Sequence, residues 1–477
     1  MKKTAFPFLT IFISGLTIFF SCDKRPVISN PTSPSNPTNP LASNKTPSAN
    51  AGQDILVSYD LQTCKPTDTI ILNGSNSFDP DGMIVSYIWR GPGLTIPANS
   101  STIKVNGLAP GMHQYILLVT DDKGASGTDT VTVSIVSLMN RAVINAELVP
   151  FGILSQQRSG VVTATAGNKI LFAGGDNYSA GTSTRVDIYD MNTNSWSIAE
   201  LSKARYSMAV AVLGTKIFFA GGAEGNWWDG IATYSIVDIY DASTNSWSVA
   251  NLSEARGWIA AASVGNKVFF AGGFNQNYFL SGTVDIYDIV ANSWSTASLS
   301  LARHSIVAES INNKIYFAGG VGYVGVFTYP SAAVDIFDNS TGMWSVSAMS
   351  EPKTDFQSIS IGNKIIWAGG NNSSFLSNNV EIKDVNTQSS SLTCLCQPMY
   401  TDHGYQKAVS DNNKILFLPG NVQDRFDIYD MTSNKWFIGK LNKDLHEAAV
   451  ISVNNTIYIA AGYVNGSLSN QVWKLEY

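Results

Sequence analysis

Charge is scarce in this chain of 477 residues: Asp, Glu, Lys and Arg make up only 14% of it, and the net charge is −6. That balance excludes a broad basic footprint for nucleic acid. Histidine occurs four times, as His113, His304, His403 and His446, and no two stand at metal-ligand spacing. No zinc motif, phosphate loop or nucleophile elbow is present. There are four cysteines: Cys22, Cys64, Cys394 and Cys396. Apart from Cys22, close to the N-terminus, an odd number is left, so no disulfide framework follows. Cys394 and Cys396 share one face of a strand; a bare pair without nearby ligands is expected neither to bind metal nor to close on itself. What the chain has in quantity is apolar residues, 44% of the total, enough for two domains with their own cores.

The N-terminus reads Met1-Lys2-Lys3, then an apolar run from Ala5 to Phe20, then Ser21-Cys22. The run is short for a spanning helix. It resembles a bacterial lipoprotein signal peptide, with Phe19 and Phe20 where the usual lipobox has leucine and a small residue. The resemblance implies cleavage before Cys22 and acylation there. Membrane attachment would then be through the lipid anchor alone. Residues 23–49 are rich in Pro, Ser, Asn and Thr and cannot bury enough surface to offset ordering entropy. They are expected to form an extended tether.

From Ala51 to Val136 short alternating runs are separated by turn signals, as half-buried strands require. Asp79-Pro80-Asp81-Gly82 is a tight turn, with Pro presetting φ and Gly supplying the left-handed position. Trp89 is the large candidate core residue between two sheets. The phrases SFDPDG, YIW and LLVTDDKG together resemble a PKD domain. That resemblance implies an immunoglobulin-like spacer or binding module without catalysis.

The remainder is a repeat. Small-residue pairs recur at Gly174-Gly175, Gly221-Gly222, Gly272-Gly273, Gly319-Gly320, Gly369-Gly370, Pro419-Gly420 and Ala461-Gly462. Each pair but the last is followed by an acidic residue in a β-type run: Asp187, Asp238, Asp285, Asp335, Glu381 and Asp427. A tryptophan follows most of these, at Trp196, Trp247, Trp294, Trp344 and Trp436. A period of roughly 42 to 51 residues with this content signals a β-propeller array. In residues and period the array resembles kelch repeats. The expected fold is all-β: an immunoglobulin-like β-sandwich followed by a seven-bladed kelch-type β-propeller. The expected boundaries are 1–22 for the signal, 23–49 for the tether, 50–137 for the sandwich and 138–477 for the propeller. The last unit shows three strands, and Asn145-Ala146-Glu147-Leu148 matches Ile198-Ala199-Glu200-Leu201. A strand over 142–148 is therefore expected to pair with the C-terminal strand and close the ring. Asp190, Asp241, Asp288, Asp338 and Asp430 begin turns and are structural.

Two sets of residues are candidates for binding. Eleven residues before each unit's lysine position stand Arg158, Arg205, Arg256, Arg303, Lys353 and His403. They open the innermost strands and are expected to ring one mouth of the channel, the usual ligand face in kelch domains. There they would either hold a carboxylate or phosphate or bond the backbone of a neighbouring blade. The second set lies in the only loops of variable length, where aromatics cluster: Trp227, Trp228, Tyr234, Tyr278, Phe279, Tyr323, Phe327 and Tyr329.

The expected function is non-catalytic recognition of a glycan or a protein, with an anionic group at the centre of the ligand and no cofactor, metal or nucleic acid. The expected location is the bacterial cell envelope, as an outer-membrane lipoprotein facing the periplasm or the exterior. The alternative is a kelch-type carbohydrate-active enzyme. A sialic-acid-isomerase-like enzyme could use His304 or His446 to move a proton. A galactose-oxidase-like enzyme would need a copper site that this histidine set does not supply. The anchor is directly testable: cells fed labelled palmitate should label the wild-type protein and not Cys22→Ser. Label persisting in that variant rules out acylation at Cys22.

Overall fold

The computed structural model describes residues 43–477 apart from 61–64, 67–68, 93, 95–97, 107, 109–110, 139–140, 178–179, 227–229, 325–326, 373–375, 397–407 and 419–422. Cys22, Cys64, Trp227, Trp228, His403 and Pro419-Gly420 thus lie outside the described residues. Every regular element among the described residues is a β-strand. Thr46–Tyr477 forms one unit, and all of these strands belong to it.

Its first part is a sandwich. One sheet is built on Ile55–Asp60, Ser126–Leu138, Gly111–Asp121 and Ile84–Arg90, in that spatial order. Ile55–Asp60 runs parallel to Ser126–Leu138, with Ile55 opposite Val133. The second layer pairs Ile70–Asn73 with Thr102–Val105. Strict alternation decides which face is which: Tyr115, Leu117 and Val119 point into the core while Ile116 points out. Trp89 is fully buried among them, as expected, and its indole N–H donates to the Ser100 carbonyl at 3.1 Å.

The second part repeats a four-strand set seven times: five sets lie in separate sheets, and the last two are joined through one shared strand in a ten-stranded sheet. The first contains Val162–Ala166, Lys169–Ala173, Arg185–Asp190 and Ser195–Glu200, in chain order. The next five repeat this pattern. Second strands such as KILFA are buried on both faces, which is why they read as continuous apolar runs. Outer strands such as SWSIAE alternate and stay largely exposed. Tyrosine on the third strand faces tryptophan on the fourth, as in Tyr189–Trp196, Tyr240–Trp247, Tyr287–Trp294 and Tyr429–Trp436. Between these strands Asp190 accepts the N–H of Asn192 at 2.9 Å, and Asn194 takes a left-handed φ and accepts the Tyr189 hydroxyl at 2.8 Å. The same turn recurs after Asp241 and Asp288, so these aspartates serve the turns.

The seventh set contains Ala449–Val453, Thr456–Ala460, Gln471–Glu476 and, as its fourth strand, Val143–Ile153. The N-terminal strand does complete the last set, but the register differs from that expected. Glu147 to Ile153 pair with the C-terminal strand, while Val143 to Ala146 run parallel to Ile438–Leu441 of the sixth set. The equivalent of Leu201 is Leu154, six residues beyond Leu148. Leu154 N–H bonds the Asn470 carbonyl at 2.7 Å, as Leu201 N–H bonds that of Thr184 at 2.7 Å. Both candidate phrases end in leucine, and only this bonding separates them.

The first strands of successive sheets lie side by side, and that of the seventh adjoins that of the first. They make a nearly closed, barrel-like arrangement around a cavity of about 410 Å³. The strand from Val143 to Ile153 holds this closure. Deleting 143–153 would expose an edge of the sixth and of the seventh sheet together. The expected product is aggregated or unfolded by size-exclusion chromatography and circular dichroism; a monomer with a native spectrum would refute this role.

Candidate functional site

The described cations do not ring an open mouth. Arg158, Arg205, Arg256, Arg303 and Lys353 are 0% exposed. Arg205 donates through Nη1 to the carbonyls of Gly221 and Ile236 at 2.7 and 2.8 Å, and through Nη2 to Asp238. Arg158, Arg256 and Arg303 repeat this set toward Asp187, Asp285 and Asp335. The second carboxylate oxygen accepts the N–H of the residue three before each arginine, at Ser155, Ser202, Ser253 and Ser300. Burial lowers the Arg158 pKa to about 10 against the opposing pull of Asp187, so the guanidinium stays charged at neutral pH. These groups bond carbonyls and carboxylates within the fold, which is the backbone-bonding role of the two that the sequence offered for this position.

Lys353 varies the theme: it bonds the Gly369 and Asn379 carbonyls and pairs with Glu351 at 2.7 Å, while Glu381 accepts Ser350 N–H at 2.7 Å. In the sixth repeat Asp427 is met by Arg141, from the segment between sandwich and repeats, at 2.7 Å. Arg141 also bonds the Cys394 carbonyl at 2.7 Å and lies 4.9 Å over the Trp436 ring. Cys394 is disulfide-bonded, whereas Cys396 is a free buried thiol, and its backbone N–H bonds Asp427 at 3.0 Å. Burial pushes the Cys396 thiol pKa up, so it stays protonated and inert.

Part of the cavity wall comes from the residue two places after four of the cations. Gly160, Ser207, Trp258, Ser305 and Asp355 occupy this position, with Glu447 equivalent in the seventh repeat, and all six have φ between 49° and 61°. A left-handed conformation is uncommon for residues other than glycine, so its recurrence at one structural position points to a constraint. Part of that constraint is visible: Trp258 N–H donates to the Ser207 carbonyl at 3.3 Å and Ser305 N–H to that of Trp258 at 3.2 Å, linking neighbouring repeats. Ser207, Trp258, Ser305 and Asp355 line the cavity together with Glu309, and no Lys, Arg or His does so among the described residues. Sequence reasoning passed over this position because its residues share no chemistry; only their offset from the cations marks it.

Aromatic rings lead from the cavity wall to the surface. Trp258 stacks on Phe274 at 4.5 Å, and Phe274 on Tyr278 at 5.9 Å. Tyr278 is 42% exposed and Phe279 65%. From the next repeat the Tyr323 hydroxyl donates to the Tyr278 carbonyl at 3.2 Å, and Phe327 and Tyr329 are exposed beside it in sequence. Tyr234 instead donates its hydroxyl to Glu224, with Lys203 over its ring. His304 packs edge-on against Phe274 at 5.1 Å, and burial lowers its pKa to about 4, leaving it neutral. His446 stacks on Tyr463 at 4.7 Å.

Comparison with known proteins adds a finding for the sandwich. Residues 52–135 match the family model for the PKD domain of KIAA0319-like proteins. The sandwich is a PKD-like domain. Over 103 residues the chain is 36% identical to the dyslexia-associated protein KIAA0319-like protein of Mus musculus, which covers 20% of this chain and 9% of that one. Over 78 residues it is 38% identical to the human dyslexia-associated protein KIAA0319, covering 15% and 7%. The matched stretch thus spans less than a tenth of either relative's length.

The buried pairs outside that domain yield a test. Arg205→Met leaves Asp238 buried without its partner and should cost about 3 to 5 kcal/mol in chemical denaturation. Asp238→Leu should cost a similar amount, and the double variant clearly less than the sum. Additive losses would show that the two groups do not act as a pair.

Proposed function

We propose that the seven four-strand sets are the blades of a kelch-type β-propeller, and that this array serves as a non-catalytic recognition module. In this reading the chain is an envelope lipoprotein, tethered through Cys22, with the PKD-like domain as spacer. The ligand is a glycan, gripped by the loops between second and third strands. The observation that carries the reading is the aromatic path from Trp258 through Phe274 and Tyr278 to the exposed Phe279. Exposed rings clustered beside a cavity are costly to leave in water and suit the apolar face of a sugar. The cavity, about 410 Å³, falls in the range that small ligands occupy.

The kelch-type enzyme reading has less support. Its candidate proton carriers are engaged with aromatic rings, and His304 is neutral within its packing. A glycan and peptide array separates the readings. The wild-type protein should bind glycans, and the paired variants Tyr278→Ala/Phe279→Ala and Phe327→Ala/Tyr329→Ala should each weaken binding about tenfold or more. Undiminished binding in both variants, with folding intact by circular dichroism, sinks the proposed face. Binding confined to peptides replaces the glycan reading with a protein-binding one. Turnover of a bound sugar that is lost in His304→Tyr moves the protein into the enzyme class.

A further inference from the structure

The second strands open on a lysine in six repeats: Lys169, Lys216, Lys267, Lys314, Lys364 and Lys414. Strand pairing sets each opposite a third-strand aspartate, as Lys364 opposite Asp384. In the first, second and fourth repeats the two close an ion pair through the aspartate Oδ2, at 2.5, 2.8 and 2.9 Å. Lys267 and Lys414 lie instead over the rings of Phe337 and Tyr477. Lys364 departs from all five: among the described residues its ammonium makes no ion pair, hydrogen bond or ring contact. The reason stands beside it in the chain. Asn363 donates to Asp384 Oδ2 at 2.5 Å, the oxygen that the lysine takes elsewhere, while Oδ1 accepts the N–H groups of Asn386 and Thr387 at 2.9 and 3.0 Å. In the second repeat Thr215 bonds Oδ1 and leaves Oδ2 to Lys216. The Asp384 carboxylate is filled by other donors, and the lysine is released.

Lys364 is half-buried and lines a pocket of about 350 Å³ between the fifth and sixth repeats. Ser391 and Thr393 bring hydroxyls to its wall. Thr393 stands where the first three repeats carry Ala199, Ala250 and Ala297, so this wall is more polar than its counterparts. From the sixth repeat Asn434 accepts the Tyr429 hydroxyl through Oδ1, which leaves Nδ2 as a donor. Ile382 and Trp436 supply apolar surface. A half-buried ammonium without a counter-ion favours an anionic ligand group. Hydroxyls and an amide beside apolar surface suit a polyol ring better than a peptide backbone in extended form. We propose that this pocket is a second binding site, separate from the loop face, and that it takes a uronic-acid unit. The sugar carboxylate meets Lys364, and its ring hydroxyls meet Ser391, Thr393 and Asn434.

The repeat itself supplies variants that should fold. Lys364→Thr installs the residue that the seventh repeat carries as Thr456, and Asn363→Thr the residue that the second carries as Thr215. The test is calorimetry of the full chain with glucuronate oligomers, glucose oligomers and oligoglutamate. The wild-type protein should bind the glucuronate oligomers about tenfold or more tighter than the glucose oligomers, and less tightly as salt rises. Lys364→Thr should remove that preference by deleting the cation, and Asn363→Thr by returning the cation to Asp384. The loop-face pair Tyr278→Ala/Phe279→Ala should retain it. Equal affinity of the wild-type protein for acidic and neutral sugars, or no binding of either, overturns the inference. So does a preference that survives in Lys364→Thr or Asn363→Thr, or one that is lost in the loop-face pair. Tighter binding of oligoglutamate overturns the sugar and assigns the pocket to an acidic protein segment.

Discussion

A buried ion pair organises the repeats. In four successive units an arginine is sealed in the sheet with an aspartate from the third strand. Its Nη1 donor bonds two carbonyls at the ends of the second and third strands, the second of which also accepts a glycine N–H, as Ile236 does from Gly221 at 2.9 Å. Desolvating two charges costs several kcal/mol, and close pairing with added hydrogen bonds to backbone carbonyls is what offsets it. The arginine's own carbonyl then faces the other way and accepts an N–H from the glycine pair of the preceding repeat, as Gly222 does with Arg256 at 3.1 Å. One residue thus braces its own sheet and ties it to its neighbour. The Gly462 N–H to Arg158 carbonyl bond, 2.8 Å, makes the same link from the last repeat to the first. Glycine is needed at the start of this clamp, because a Cβ on Gly174 would meet the Arg205 carbonyl oxygen at 2.5 Å.

The sixth repeat draws an arginine from outside the array. The sixth acidic residue, Asp427, is neutralised by Arg141, which belongs to the segment leading out of the PKD-like domain. Burial pushes the Asp427 pKa up and Arg141 pulls it back, so the pair is interdependent in the same way as the others. The apolar cluster of the sandwich continues into Cys394, Cys396 and Ile438 around this point. The two parts of the chain therefore share a core where the repeat is most worn, and the disulfide at Cys394 reinforces the same place. A frame held this firmly leaves its loops free to vary, which accounts for the spread of loop lengths and for the aromatic residues gathered there.

The sequence by itself determined the all-β class, the sandwich with Trp89 at its centre, the repeat and its turns, and the need for an N-terminal strand to finish the last sheet. These rest on local patterns: alternation, turn chemistry and period, each written in a short stretch of chain. The cations and the acidic residues were also legible, but not their partnership. Arg205 and Asp238 are 33 residues apart, and only the folding of the sheet brings one onto the other. Tertiary structure alone decided that these charges point inward, that Leu154 rather than Leu148 ends the closing strand, and that Glu309 and Asp355 face the cavity. The reason is common to all three. Register and side-chain direction depend on which backbone groups pair across the sheets, and a one-residue change in that pairing sends every side chain to the opposite face.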